Sequence, residues 1–109
     1  MAMGDVPKYV LLSALLAALP DVATAQIAKR RAAELEHMVI QDCGSCHGLT
    51  LKGGLGSPLT PDKLEGSDPE ALASIILDGV PGTAMPPWRP LVSETEARWI
   101  ADYLLKVKK

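Results

Sequence analysis

Cys43-Gly44-Ser45-Cys46-His47 sets two thiols three residues apart and an imidazole directly after the second. That is the spacing of a c-type haem attachment signature. If the stretch is a helical turn, positions 43, 46 and 47 are i, i+3 and i+4 and share one face. Cys43 and Cys46 can then form thioethers with the two vinyl groups of one haem while His47 reaches the iron. Gly44 and Ser45 are small enough to clear the porphyrin edge. Three other readings compete. A zinc site needs four ligands, and Cys43, Cys46, His37 and His47 do not fall at a usual zinc spacing. A thioredoxin-like pair would need a strand–turn–helix setting. Chance is the third, because a five-residue match is short.

With 109 residues the chain holds one small domain at most. Its net charge of −2, with both signs mixed, points to no nucleic acid. Phenylalanine is absent and aromatics are 4 % of the chain, so an ordinary core would lack its large fillers. A covalently held cofactor would supply that apolar bulk. Lys8 precedes the apolar run from Tyr9 to Leu19, and Ala23-Thr24-Ala25 forms a small-x-small cleavage site before Gln26. The run is too short to span a bilayer and has the length of a secretory signal peptide. The division expected is therefore a leader over residues 1–25 and a mature domain over 26–109, periplasmic, with no stable membrane insertion once the leader is removed. Lys8 is offset by Asp5, which keeps an uncleaved anchor as the other reading. Export suits thiols kept available for assisted attachment.

Along the mature chain the apolar spacing of Ile27, Leu35, Met38, Val39 and Cys43 predicts a first helix over 26–43. Lys29-Arg30-Arg31 reads as a docking patch or as a solvated helix face. His37 lies ten residues before His47 on one helix, about 15 Å along the axis. It cannot reach the far side of the same haem and reads as a surface residue. Residues 48–64 are rich in Gly and Pro, with Thr60 capping one turn opened by Pro61. A second helix starts at Ser67 or Asp68 with Pro69. It buries Ala71, Leu72, Ile75 and Ile76 and ends on Gly79 as a left-handed cap. The last helix opens with the capping box Ser93-Glu94-Thr95-Glu96. It turns Ala97, Ile100, Tyr103, Leu104 and Val107 inward, with Lys106, Lys108 and Lys109 at its negative end.

Between these helices runs Val80-Pro81-Gly82-Thr83-Ala84-Met85-Pro86-Pro87-Trp88. Met85 and Pro86 each precede a proline, which restricts both to extended backbone. Such a loop can hold a thioether sulfur at a fixed distance from iron and make Met85 the sixth ligand. The other reading is a loop methionine filling a gap. Met1 and Met3 fall in the leader and Met38 on the first helix, so Met85 is the candidate left. Trp99 reads as packing at a helix edge. Trp88, beside Arg89, reads either as a contact to a haem propionate or as loop packing.

This ordered set resembles the class I cytochromes c over the whole mature chain. The resemblance implies an all-α fold, three main helices plus loops wrapped around one covalently attached haem c. It also implies that the first and last helices cross, pairing Leu35, Met38 and Val39 with Ile100, Tyr103 and Leu104. By the family's motifs, Cys43 and Cys46 carry the thioethers, His47 is the proximal ligand and Met85 the distal one. In that family a proline carbonyl orients the proximal imidazole, and Pro58 is the matching candidate. The runs 42–49, 53–56 and 81–88 are more narrowly similar to cytochromes c55X, the small NirC-type cytochromes encoded with the haem-cd1 nitrite reductase of denitrifying bacteria. The implied function is one-electron transfer by a monomer, not catalysis, with nitrite reductase or its maturation proteins as partners. The rival from another class is an accessory module for assembly or loading of haem d1. An enzyme with a five-coordinate haem would require Met85 to leave the iron.

Overall fold

The computed structural model describes residues 27–107. The expected leader, its cleavage point before Gln26, and Lys108 and Lys109 lie outside them. Helix α1 (Lys29–Met38) starts after Ala28, which offers no side-chain cap. Ile27 therefore precedes the helix instead of opening it, yet still packs against the core. The rod does not stop at Met38. It passes through a π-helical turn over Val39–Cys43, in which the Gly44 amide donates to the Val39 carbonyl, and finishes as α2 (Gly44–His47). Gly48, at φ +91°, ends it.

α3 (Pro61–Leu64) is a single turn with Pro61 at its start. Thr60 has the extended backbone of a capping residue but caps no amide. Its hydroxyl goes to the Asp62 carboxylate, which that bond holds below its usual range. α4 (Pro69–Asp78) is capped by Asp68, whose carboxylate accepts from the Glu70 amide at 3.3 Å. Gly79 follows at positive φ, as expected, but with ψ −169° it is extended and not helical in the left-handed sense. α5 (Glu94–Lys106) carries the expected capping box. The Glu96 amide donates to Ser93 Oγ at 3.1 Å, and the Ser93 amide donates to Glu96 Oε1 at 2.9 Å.

No strand occurs among the described residues, and the core is one cluster. Leu35 and Val39 from the rod, Ala73 and Leu77 from α4, and Ala97, Ile100, Ala101 and Leu104 from α5 are buried together with Leu51 and Val92. The expected first-to-last helix pairing is present: Met38 and Tyr103 pack against this cluster from its margin. On α4 the expected face is rotated. Ala73 and Leu77 are buried, Leu72 and Ile76 half-buried, while Ala71 and Ile75 face water. The apolar positions of α4 run most of the way round its surface, so periodicity alone does not choose which side meets α5.

Polar ties hold the helices in place. Arg31 Nε donates to Glu96 Oε2 at 2.5 Å and bridges to Glu34, so the basic run at 29–31 is spent on ion pairs and a solvated face. Arg98 spans from α5 to Glu70 on α4. Arg31 and the capping bond to Ser93 hold the Glu96 carboxyl below the usual carboxylate range. A carboxyl with a lowered folded-state value stabilises the fold above its unfolded value and loses that contribution as pH falls through the folded one. Glu96→Gln should therefore lower stability by about 1–2 kcal/mol at neutral pH. Thermal unfolding followed by circular dichroism should show the gap to the parent closing below about pH 4.

Candidate cofactor site

The rod ends on the turn that carries Cys43, Cys46 and His47, so one helical end presents all three side chains. Both cysteines are free thiols, Cys46 exposed and Cys43 half-buried. Burial pushes the Cys43 thiol up to about 11, and the neighbouring Asp42 carboxylate adds to the effect. That is the opposite of an activated redox thiol. With no strand among the described residues, the thioredoxin reading has no support. Nor do the described residues contain a group of three or more His, Cys, Asp and Glu side chains able to share a metal ion. His37 is exposed, as expected.

A helix end leaves carbonyls without partners, and here the loop after it supplies them. The Gly56 amide donates to the Cys46 carbonyl at 2.8 Å and the Gly53 amide to the His47 carbonyl at 2.8 Å. This draws the loop backbone over the imidazole. A Cβ at Gly56 would stand 2.7 Å from both Cε1 and Nδ1 of His47, so no larger residue fits. His47 Nδ1 lies 2.7 Å from the Ser57 carbonyl. A carbonyl only accepts, so Nδ1 carries the proton and the Nε2 lone pair of the neutral ring is left for a metal.

The accepting carbonyl corrects the assignment of Pro58. Pro58 stands one residue too far along, and its own part is indirect. Its ring restricts Ser57 to extended backbone and packs at the place where a Cβ on Gly53 would fall, 3.3 Å from Pro58 Cγ. Ser57 was not identifiable from the sequence, because an accepting backbone carbonyl leaves no mark on residue type.

Met85 is half-buried in the second loop. The Thr83 hydroxyl donates to the Val80 carbonyl at 2.7 Å and accepts from the Met85 amide at 3.3 Å. The Val80 amide donates to the Met85 carbonyl at 3.2 Å and the Thr83 amide to the Val80 carbonyl at 3.1 Å. These bonds close residues 80–85 on themselves. Thr83→Val should therefore loosen Met85, and Thr83→Ser should restore it. Losing such a bond costs about 1–2 kcal/mol of loop stability, measurable as faster amide exchange at Met85 in the valine variant alone. Trp88 is anchored by its backbone amide to the Ile76 and Leu77 carbonyls, and Arg89 pairs with Asp78 at 2.5 Å and with Glu94. Both residues thus serve the join between α4 and α5.

Apolar side chains stand in water beside each part of the site. Leu49 is 63 % and Leu55 97 % exposed on the loop that covers His47, and Ile75 and Val80 are exposed around Gly79. Two thiols and an imidazole on one turn, an Nε2 left without a proton, and unburied aliphatic residues on both flanking segments suit a flat apolar group bearing a metal. They do not suit a bare ion.

Residues 30–104 match the family model described as cytochrome C oxidase, cbb3-type, subunit III. The chain is 65 % identical over 75 residues to cytochrome c55X of Paracoccus denitrificans, spanning 69 % of this chain and 73 % of that one. To cytochrome c55X of Pseudomonas aeruginosa it is 50 % identical over 88 residues, spanning 81 % and 74 % respectively. The solved c-type cytochrome NirC superposes with a TM-score of 0.71 at 51 % identity, covering 72 % of this chain and 93 % of that one.

Proposed function

Since the chain belongs to the c-type cytochromes, in their c55X group, we propose that it is a one-electron carrier whose haem c is held by four of its own residues. Cys43 and Cys46 would make the covalent attachment, and His47 and Met85 would ligate its iron. Bound there, haem c supplies an iron that alternates between Fe(II) and Fe(III), one electron per change. The observation that carries this reading is the 2.7 Å bond from His47 Nδ1 to the Ser57 carbonyl. It fixes the tautomer and the ring plane and raises the basicity of Nε2 as a ligand.

The protein's part is to keep that coordination unchanged in both oxidation states. The amides of Gly53 and Gly56 hold the end of the rod that carries His47, and the hydroxyl of Thr83 holds the Met85 loop, so little has to move when charge changes. With His47 and Met85 both engaged, no position is open for a substrate, which is why the function is transfer and not catalysis. The partner is a redox protein of the nitrite reductase system, met in the periplasm by an exported monomer. Exposed aliphatic side chains such as Leu49 and Leu55 suit a small, transient contact. In the oxidised, matured protein a weak far-red band from sulfur–iron charge transfer is expected, and Met85→Ala should abolish it. Ready binding of carbon monoxide by the unmutated reduced protein would refute the two-ligand arrangement.

A further inference from the structure

The π-helical turn over Val39–Cys43 falls between the part of the rod that builds the core and the part that carries the attachment residues. Its effect on side-chain direction can be worked out from helix geometry. An α-helix turns about 100° per residue. In an unbroken α-helix Cys46, eleven residues after Leu35, would point within about 20° of it. Leu35 is fully buried in the core, so Cys46 would point into the core as well. Gly44, nine residues on, would lie about 180° away, facing water.

The structure shows the reverse: Cys46 is exposed and Gly44 is buried. One π-turn takes up one extra residue and sets everything after it back by about 100°. Cys46 then lies about 80° to the outer side of the Leu35 stripe, and Gly44 comes to about 80° from it on the inner side. His47 moves from about 120° to about 20°, in line with the stripe, which matches its half-buried position beneath Gly56. The Gly44 amide bonds the Val39 carbonyl, five residues back, as this requires.

We propose that the π geometry of the Val39–Cys43 turn is a positioning device: by absorbing one residue it keeps the second thiol out of the core and His47 under its covering loop. This rests on the assignment of Cys43, Cys46 and His47 to haem attachment. Ile40 is half-buried and Gln41 exposed in this turn, so Gln41 can be removed with no loss of core. Its removal straightens the helix but leaves Cys46 ten residues after Leu35, still about 80° from it. One alanine inserted after Gln41 instead turns Cys46 by about 100°, to within about 20° of Leu35.

The test compares the full chain, the Gln41 deletion and an alanine inserted after Gln41, each expressed with a c-type maturation system, by covalent haem per chain. The deletion should stay within about twofold of the parent, because Cys46 and His47 keep their directions. The insertion should fall at least about tenfold, because a rotation near 100° is far outside the 10–20° that a built site tolerates. An insertion variant with parental haem content and spectrum would overturn the proposal. Because the insertion could also weaken folding, the hydrogen bond is read independently in the unmodified, haem-loaded protein by nuclear magnetic resonance. Coupling from the Gly44 amide to the Val39 carbonyl supports the proposal, and coupling to the Ile40 carbonyl overturns it. A parent that carries no haem would instead refute the attachment assignment beneath it.

Discussion

His47→Ala should abolish the low-spin spectrum of the matured protein and cut iron affinity by more than about a hundredfold. Losing only the partner of a metal-bound histidine costs 10–100-fold, and here the proposed ligand itself is gone. No neighbour takes over. His37 is on the exposed face of α1, ten residues back along the rod, and among the described residues no further cluster of donor side chains exists. Adding free imidazole should restore part of the low-spin signature, which separates loss of a ligand from loss of the fold. Gly56→Ala gives a graded version of the same result. Its new Cβ would crowd His47 at 2.7 Å and weaken the bond from Nδ1 to Ser57, so haem is retained while the reduction potential moves. An unchanged visible spectrum in His47→Ala would remove the histidine from the site.

Gly79→Ala is expected to be the most damaging substitution on the opposite side. At φ +65° and ψ −169° the backbone lies in a region essentially reserved for glycine, which costs any other residue about 1–3 kcal/mol. The added Cβ would also meet the Met85 carbonyl oxygen at 2.6 Å, with Pro86 C and Pro87 N at 2.8 Å. These are backbone atoms next to prolines and cannot step aside cheaply. The combined loss should reach about 3 kcal/mol or more. The loop then leaves its seat, the far-red sulfur band disappears and carbon monoxide binds the reduced iron. Retention of the band with an unchanged melting temperature would show that the loop seats Met85 by other means.

Much of this was legible from residue types. The capping box at Ser93, the cap at Asp68 with Pro69, and the thiol–thiol–imidazole spacing each encode a local geometry that tertiary packing left alone. Other features were hidden for definite reasons. Ser57 acts through its carbonyl, which every residue has. The π-turn leaves the run Val39-Ile40-Gln41-Asp42-Cys43 looking like ordinary helix, because one taken-up residue shifts direction without altering composition. Ile75 was expected inside, and faces out because α4 is apolar around most of its circumference. The apolar residues left in water beside both loops have a different cause: part of what they would cover is not polypeptide.

The two sides of the site come apart differently. On the His47 side the amides of Gly53 and Gly56 close the end of the rod while the same loop accepts the imidazole proton. Fraying there must break all three bonds at once, making it one cooperative opening tied to the core helix. On the Met85 side the bonds of residues 80–85 are internal, so that segment can swing away as an intact unit without unravelling anything else. Transient ligand exchange in this molecule should accordingly occur at sulfur, with the nitrogen side acting as the fixed hinge.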